Sequence, residues 1–509
     1  MKFLKLIFSR LVIISLSILL QIFIFITTNF YLAEYFAWAN VWFGFIAVIT
    51  LLGIISKSEP SSYKLPWVII IMLFPIVGIT LYFLFGKQNL SSKKQLQYFN
   101  KKNEYRPIGD IGDVDQIKDV YPLAYGQAKY IFETSLLPSY TNSYCRYLKT
   151  GEEFFKSLLE ELNKAKKYIF FEYFIIGEGK MWNEIYDVLK RKVKEGVEVY
   201  LMYDDVGSIS KVKNNFVYKL RDEGIYAAKF NPLKAIVSVR YNNRDHRKIT
   251  VIDGEIGFIS GANISDEYIN EVNLFGIWKD NALLLKGKCV DSLVYMFLEL
   301  YNFASIKHLL AKDFLCNNHI QYEEDGYIIP YGDGPRPIYE DYIGMNVYLN
   351  IINQAKDYIY ITTPYLIVEH EFVQALINAR KRGVDIKIIT PEIPDKRVIK
   401  VMTKSNYFEL IKAGIKIYEF TGGFIHAKMI LSDDQYGVVG TINFDYRSFV
   451  HHFECGVWLY KCHCLNDIKS DFNDLFDTKT TEININKAKL NIFERVVNIF
   501  LGAFSPLLW

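Results

Sequence analysis

Three long apolar runs without charged residues lie in the first 86 positions of the chain. They cover residues 11–28, 35–56 and 65–86. Each is about as long as the ~17–25 residues that a helix needs to cross a bilayer, so the pattern predicts two or three N-terminal transmembrane helices. For the first run, a basic start and a small-residue site at 37–39 leave a signal peptide as one alternative, and an interfacial helix is another.

The third run also fits a buried core helix, but its internal Pro75 and Gly78 and the aromatic residues near its ends are typical of membrane segments. Lysines flank the second and third runs. They are Lys57, Lys64, Lys87, Lys93, Lys94, Lys101 and Lys102. The denser cluster after the third run predicts a multi-pass protein of the cell membrane with a cytoplasmic catalytic body.

Beyond residue 130, short β-like runs alternate with helical ones, as is typical of α/β layers. The alternation occurs twice. Residues 165–205 and 355–392 each hold an apolar strand, a helical run and a second strand. Gly196 and Gly383 stand where a C′ glycine ends each helix. The sequence therefore predicts two duplicated halves.

One pattern, His-x-Lys-x4-Asp, occurs at the matching point of each half. The copies are His246, Lys248, Asp253 and His426, Lys428, Asp433. If the segments are half-buried strands, the histidine and the lysine point to the same face. Two cations on one face repel each other unless an anion joins them. The pattern therefore predicts an anion site, with a hydrogen-bonded strand histidine as the alternative for each copy alone.

Phosphate is the anion that suits these side chains. Lysine supplies a point charge for phosphate oxygens, and histidine can act as a nucleophile or proton carrier. An ammonium is no metal ligand and repels a divalent cation, so we predict a site without metal or another cofactor. Asn263 and Asn443 follow the motifs and predict amide donors near the same strand ends; a turn-forming role is their alternative.

Phosphodiester exchange gives the two histidines separate tasks. In-line displacement needs a nucleophile on one side of the phosphorus and a proton donor on the opposite side. If the halves meet across a pseudo-twofold axis, each motif supplies one of these groups, and the lysines stabilise the charge that builds up between them.

The net charge and the cysteines indicate which partners, disulfides and metal sites are expected. The formal net charge of +3 is too small for a nucleic-acid-binding domain, whereas the basic run after the third apolar segment suits an anionic membrane surface. The six cysteines are sparse and unevenly spaced, so no disulfide framework is expected. The run 462–464, Cys-His-Cys, lacks a second ligand pair at zinc-site spacing.

The paired motifs and several longer segments resemble the phospholipase D superfamily, and more closely its bacterial cardiolipin synthase branch. The segments are FPIVGITLYFLFGK (74–87), DHRKITVIDGEIGFISGANISDEY (245–268), ITTPYLI (361–367), GFIHAKMILSDD (423–434), VGTINFDYRSF (439–449), HFE (452–454) and SPLL (505–508). The resemblance runs from about Trp67 to the C-terminus. It implies two α/β sandwich halves with pseudo-twofold symmetry that share one central active site, preceded by the transmembrane helices.

The resemblance also implies residue roles. His246 attacks phosphorus to give a phosphatidyl-histidine, and His426 protonates the departing glycerol and then deprotonates the incoming hydroxyl. The phosphate-binding residues are Lys248, Asn263, Lys428 and Asn443. Asp253 and Asp433 orient and balance the cationic centre. Glu454 supports a histidine, with a surface carboxylate as its alternative.

The chain departs from the family pattern at five points. It has Asp245 and His452 where asparagine is common, Ser260 in place of a glycine, Val368 in place of a proline, and the run WKDNA at 278–282. None of these changes removes a phosphate-handling residue. They bear on the choice of acceptor and not on the type of reaction.

Five regions follow from these observations. They are a membrane-anchoring region (1–90), a basic linker (91–130), a first half (131–325), a second half (326–480) and a C-terminal helix (481–509). The C-terminal helix is expected to pack on the body, with an interfacial membrane helix as the alternative.

The predicted function is that of a membrane-bound phosphatidyltransferase that joins two phosphatidylglycerol molecules into cardiolipin and releases glycerol. A phospholipase D-type hydrolase and a phosphatidyltransferase with another alcohol acceptor are alternatives. A nucleic-acid phosphodiesterase and a non-catalytic membrane scaffold fit the pattern less well. Phosphatidylglycerol and the membrane are the predicted partners, nucleic acid is not, and the sequence leaves protein partners open.

Overall fold

The computed structural model of the protein describes residues 19–23, 33–57, 61–86, 112–232, 243–305, 307–323, 326–336 and 338–508. The chain divides into two units. The first comprises residues 1–90, 233–243 and 493–509, and the second comprises residues 91–232 and 244–492. The basic run predicted to follow the third apolar segment, and most of the first apolar run, lie outside the described residues.

The described residues of the first unit are mostly helical. They are α1 (Ala33–Ile55), α2 (Ser61–Leu73), α3 (Pro75–Phe85) and most of the C-terminal α15 (Ile492–Leu508). Helix α3 begins with Pro75, which suits the first helical position because proline lacks an N–H group there. Gly78 allows α3 to approach α2, since a Cβ atom at this position would lie 2.6 Å from the Ile71 Cα atom.

Large apolar side chains on these helices face outward. In α1, Trp42 and Leu52 are each 62% exposed, and in α15 Ile492 is 82% exposed. Among the described residues, no helix is both long enough and apolar enough to cross a membrane. The predicted transmembrane helices are therefore not confirmed, whereas a C-terminal helix is present.

The second unit contains two sheets and their helices. Helix α4 (Pro122–Ser135) precedes the first half. The first half is built from β1 (Tyr144–Leu148), α5 (Gly151–Leu162), β2 (Tyr168–Tyr173), α6 (Lys180–Lys194), β3 (Glu198–Asp204), α7 (Phe216–Asp222), β4 (Tyr226–Phe230), β5 (Lys248–Ile252), β6 (Ile256–Ser260), β7 (Ile277–Lys279), β8 (Ala282–Lys286) and α8 (Val290–Ala304).

The second half follows with a similar set of elements. It comprises β9 (Tyr327–Asp333), α9 (Ile343–Gln354), β10 (Tyr358–Thr362), β11 (Leu366–Ile367), α10 (His370–Lys381), β12 (Asp385–Pro391), α11 (Arg397–Lys412), β13 (Lys416–Phe420), β14 (Gly423–Ile425), β15 (Met429–Ser432), β16 (Tyr436–Gly440), β17 (Phe444–Asp445), α12 (Tyr446–Val450), β18 (Glu454–Tyr460), α13 (Cys464–Asp474), β19 (Thr480–Glu482) and α14 (Ile485–Ala488).

The two sheets have the same topology. The first runs in the order β1-β8-β6-β5-β2-β3-β4, and the second in the order β9-β18-β16-β15-β10-β12-β13, with β19 added at its edge. In each sheet three parallel strands are followed by antiparallel ones, since β2 pairs with β3 in parallel and with β5 in antiparallel fashion, as β10 does with β12 and β15. The predicted duplication of two α/β halves is confirmed.

The central strands are buried because helices cover the sheets, which explains their continuous apolar runs. Every residue of β2 is buried. The amphipathic helix α6 packs Trp182, Ile185 and Leu189 into the same core. Gly196, at φ +89°, follows α6, and Gly383, at φ +105°, follows α10; both end their helices in the left-handed conformation, as predicted.

Short pairings join the two halves where the histidine motifs lie. Strand β14 of the second half pairs in parallel with β7 of the first, and Ile425 is opposite Lys279. Asp245 forms an isolated parallel bridge with Phe453, just before β18. Each histidine segment is thus hydrogen-bonded to the other half.

Candidate active site

The main chain of each histidine is held by the opposite half. The His246 N–H donates to the Phe453 carbonyl at 2.9 Å, and the His426 N–H donates to the Lys279 carbonyl at 2.7 Å. Neither histidine lies within a regular strand, because His246 precedes β5 and His426 lies between β14 and β15. Both are buried, so the expectation of half-buried strands is wrong here.

A carboxylate from the opposite half contacts each imidazole. The Nδ1 atom of His246 lies 2.9 Å from Glu454 Oε2, and the Nδ1 atom of His426 lies 2.7 Å from Asp280 Oδ2. Both carboxylates are fully buried. An Nδ1–H that donates to a carboxylate leaves Nε2 with its lone pair, which is the form that a nucleophile or general base requires.

Buried arginines fix the segment around His246. The Arg244 guanidinium pairs with Asp204 at 2.6 Å, and that of Arg247 pairs with Glu299 at 3.0 Å. Arg247 also donates to the carbonyl of Met296 at 3.0 Å. Each guanidinium is therefore satisfied, and the loop that carries the histidine is held on both sides.

The two lysines of the motifs lie beside their histidines, as predicted. Lys248 Nζ donates to the His246 carbonyl at 2.6 Å, and Lys428 Nζ donates to the His426 carbonyl. Both side chains are fully buried. In the part of the chain that the structure describes, neither ammonium forms an ion pair. Burial lowers the pKa of Lys248 to about 8 and that of Lys428 to about 7.

The same burial keeps both histidines neutral. Burial and the charges of Lys248 and Lys428 hold the pKa of His246 well below its ordinary value. Burial and Lys428 lower the pKa of His426 to about 4, although Asp280 opposes this shift. Contact with His426 lowers the pKa of Asp280 even though burial alone would raise it. The site therefore holds two neutral imidazoles, and the charges of the two lysines are offset only at a distance by Glu454 and Asp280, which contact the histidines.

The two asparagines differ in their contacts. Asn263 accepts from the Ile175 N–H at 3.0 Å and donates to the Tyr268 hydroxyl at 2.7 Å. The side-chain oxygen of Asn443 is buried and has no hydrogen-bond partner among the described residues. Phosphate binding by these amides stays a prediction, since a phosphate accepts from the amide nitrogen and the atom of Asn443 without a partner is its oxygen.

The two aspartates of the motifs are not brought to the histidines. Asp253 accepts from the Lys166, Lys167 and Tyr168 amides at 2.7–2.9 Å. Asp433 accepts in the same way from the amides of residues 356–358 at 2.8–2.9 Å. Each follows the far end of its strand, and five strand residues span roughly 16 Å. We therefore correct the implied role: these carboxylates hold the start of β2 and β10.

Asp280 was not predicted, although the duplication contains a signal for it. Ala282 is opposite the last residue of β6, and Gly456 is opposite the last residue of β16. Counting back two positions from each gives Asp280 and Glu454. Aligning Glu454 onto the first half would therefore have identified its counterpart.

A third imidazole, that of His452, also lies in the site. Its Nδ1 atom is 3.6 Å from Glu454 Oε1, and its ring centre is 5.3 Å from that of His246. Burial holds the pKa of His452 well below its ordinary value. The sequence showed this residue only as a departure from the family pattern.

His246, His452 and Glu454 present one donor atom each within 4.8 Å of one another, a set that suits a divalent metal. Lys248 and Lys428 act against a cation at this position, because their charges already lower the pKa of His246. The same charges favour a phosphate. The site is therefore better suited to an anion.

Comparisons with known proteins agree with this geometry. The family model described as cardiolipin synthase, PLD-like domain, matches residues 158–283 and 348–476. The model described as phospholipase D-nuclease N-terminal matches residues 44–87. Among solved structures, phosphatidylserine synthase from Haemophilus influenzae superposes with a TM-score of 0.58 at 16% identity, covering 75% of this chain and 98% of that one, which supports the two-halved fold.

Curated relatives match most of the chain. Cardiolipin synthase 2 of Bacillus anthracis is 33% identical over 457 residues, which cover 89% of this chain and 88% of the relative. Cardiolipin synthase of Alkalihalophilus pseudofirmus is 31% identical over 476 residues, covering 91% and 93%. An uncharacterised protein of Streptococcus mutans is 41% identical over 466 residues, covering 90% and 99%. The chain belongs to the cardiolipin synthase family of phospholipase D-like phosphatidyltransferases.

Proposed function

We propose that the protein is a cardiolipin synthase that transfers a phosphatidyl group from one phosphatidylglycerol to another and releases glycerol. One observation carries the proposal: two neutral histidines, each held by a carboxylate of the opposite half, lie beside two buried lysines without carboxylate partners. Relatives with the printed name cardiolipin synthase support the choice of substrate.

In the first step the Nε2 atom of His246 attacks phosphorus. A phosphorus–nitrogen bond forms, the bond from phosphorus to the glycerol oxygen breaks, and His426 gives a proton to that oxygen. The contact of His246 with Glu454, at 2.9 Å, holds the proton on Nδ1 and leaves Nε2 free to attack. The products of this step are glycerol and a phosphatidyl-histidine.

In the second step a hydroxyl of another phosphatidylglycerol loses its proton to His426 and attacks phosphorus. The new phosphorus–oxygen bond forms as the bond to His246 breaks. His426 has regained the proton that it gave up, so the cycle closes. Asp280, at 2.7 Å, stabilises the imidazolium form that His426 has before the first transfer and regains in the second.

The negative charge of the substrate changes the protonation of the histidines. Burial and the charge of Lys428 lower the pKa of His426 to about 4, so the free enzyme holds this imidazole in its neutral form. A bound phosphodiester anion offsets the charges of Lys248 and Lys428 and raises the pKa of both histidines toward ordinary values. His426 thus becomes a competent acid when substrate is present, and the lysines stabilise the transferring group.

We also propose that the first unit anchors the enzyme to the membrane as a multi-pass region, with the catalytic body in the cytoplasm. The match of residues 44–87 to the N-terminal family model supports an anchor. The outward-facing apolar side chains of α1 and α15 support contact with lipid.

The test is to incubate the purified full-length protein in detergent with phosphatidylglycerol labelled in its terminal glycerol, and to identify every lipid and alcohol formed. We expect cardiolipin and free labelled glycerol in equal amounts, and neither from a His246→Ala control. Phosphatidic acid as the main lipid would replace the proposal with a hydrolase. A phosphatidyl product that appears only with another alcohol would replace the acceptor.

A further inference from the structure

A second cluster of chemically reactive side chains lies in the turn between β5 and β6 and in the segment that follows α8. Glu255 is in the turn, and Cys316 and His319 are in the segment. Each of the three presents one donor atom, and these atoms lie within 4.8 Å of one another. The turn follows the end of β5 opposite Lys248, so the cluster is separate from the histidine pair.

We propose that Glu255, Cys316 and His319 bind a divalent transition-metal ion of the zinc type. A carboxylate, a thiol and an imidazole are all ligands that Zn²⁺ accepts, at bond lengths of about 2.0–2.3 Å. Donor atoms within 4.8 Å of one another can close around one such ion with small side-chain adjustments. Cys316 and His319 are three positions apart, which is a common spacing for two ligands on one short segment. The remaining coordination position is open to a water molecule.

The surroundings of His319 fit a metal ligand. Its Nδ1 atom lies 2.8 Å from Glu255 Oε2, and its Nε2 atom lies 3.1 Å from Asp291 Oδ1. If Nδ1 binds the ion, Nε2–H donates to Asp291, which is the carboxylate contact that orients metal-bound histidines and increases their basicity. The His319 side chain is 7% exposed, so its orientation is fixed by these contacts.

The competing interpretation is an imidazolium that bridges two carboxylates. That arrangement accounts for Glu255 and Asp291, but it gives no part to the thiol of Cys316, which is a free cysteine. A metal ion uses all three side chains and replaces the proton on His319. Cys316 therefore distinguishes the two interpretations.

An ion at this position would hold the connection between the two halves. Phe314, two residues before Cys316, packs on Tyr168 and Phe170 of β2 with ring centres 4.9 Å apart in both cases. Tyr168 also donates to the Phe314 carbonyl. The metal would strengthen the attachment of this segment to the first sheet, so its effect is on stability and not on the chemistry at His246.

The experiment measures metal content and thermal unfolding of the full-length protein, purified in detergent without chelator. We expect about one Zn²⁺ per chain, and a rise in melting temperature when ZnCl₂ is added to chelator-stripped protein. Loading with Co²⁺ should give a thiolate-to-metal charge-transfer band. Cys316→Ser and His319→Asn should both lose the ion and the band, whereas the control Cys462→Ser should keep them.

The variant His452→Asn separates this site from the other group of donors. Loss of Zn²⁺ in His452→Asn together with its retention in Cys316→Ser would place the ion beside His246 and overturn the proposal. Protein that binds no Zn²⁺, with His319→Asn lowering the melting temperature, would establish the bridging imidazolium instead. Zn²⁺ bound equally by all variants would also contradict the assignment.

Discussion

His246 of the first half contacts Glu454 of the second half, and His426 of the second half contacts Asp280 of the first half. Each half therefore carries the carboxylate that contacts the histidine of the other half. The sequence separations of 208 and 146 residues show that neither pair is local. A half on its own would hold an unsupported histidine and a buried carboxylate without its partner. The exchange of carboxylates therefore makes the two halves one catalytic unit.

The surroundings of the two pairs differ. Glu454 also accepts a hydrogen bond from Thr441 at 2.5 Å and lies near His452. Asp280 instead accepts from the Trp278 indole at 3.3 Å and from the Asn281 amide at 3.0 Å. The duplicated main chain sets the matching positions, whereas the side chains around them have diverged. The proposed division of roles between a nucleophile and a proton carrier would depend on this difference.

Among substitutions that leave both histidines in place, replacement of a motif lysine should lower turnover most. Lys428→Met keeps most of the buried stem but removes the charge that stabilises the transferring phosphoryl group. Turnover should fall by roughly 100-fold or more, about 2.7 kcal/mol or beyond, and Lys248→Met should behave alike. Removing a buried cation without an ion-pair partner should not lower the melting temperature. Near-normal turnover, or a loss that follows a collapsed melting temperature, would contradict phosphate binding.

The exchanged carboxylates can be tested by a double-mutant cycle. Asp280→Asn and Glu454→Gln each weaken a charge-assisted hydrogen bond, and each should lower turnover about 10- to 100-fold, or roughly 1.5–3 kcal/mol. In a His426→Ala background, adduct formation at His246 from a substrate whose leaving group needs no proton should be almost unchanged by Asp280→Asn, while Glu454→Gln should retain its full effect. Equal further losses from both changes would show that the carboxylates do not act through separate histidines.

The pH dependence of anion binding tests the lysines in another way. Because the pKa of Lys428 is lowered to about 7 and that of Lys248 to about 8, the charged forms predominate below these values and are lost as pH rises through them. The dissociation constant of glycerophosphoglycerol, whose single charge stays constant in this range, should rise roughly tenfold from pH 7 to pH 8. Lys428→Arg keeps its charge and should flatten this dependence. A constant affinity in the unmodified enzyme would argue against the proposed phosphate site.

The smallest effect on turnover is expected for the aspartates of the motifs. Asp433→Asn weakens the bonds to the amides that begin β10, so the free energy of unfolding should fall by about 1–3 kcal/mol. Turnover at a temperature below unfolding should change by less than about threefold. Asp253→Asn serves as the matched variant in the other half. A loss of turnover comparable to that of Lys428→Met would restore a catalytic role for these residues.

The repeat itself could be predicted because its signals are local. Gly196 and Gly383 end corresponding helices, and the His-x-Lys pairs lie at corresponding places. Both signals are therefore visible in the sequence itself. The partners of the histidines are not local, and no short pattern connects Asp280 with a residue 146 positions away. Only the strand registers show that Asp280 and Glu454 are equivalent.

The role expected for the motif aspartates failed for a related reason. A spacing of five residues between Lys248 and Asp253 does not show that a whole strand separates them. Once β5 is extended, that spacing places the two side chains at opposite ends of the strand. The histidine and lysine are close because only one residue lies between them.

The covalent intermediate tests the central claim most directly. A phosphatidyl substrate whose leaving group needs no proton, such as nitrophenol, is mixed with the His426→Ala variant, quenched at alkaline pH and analysed by mass spectrometry of its peptides. The first step should proceed and the second should stall, because no base activates the acceptor. We predict a phosphatidyl group on His246 and none in His246→Ala. An adduct on His426 in His246→Ala, or no adduct in either variant, would contradict the assignment of the two histidines.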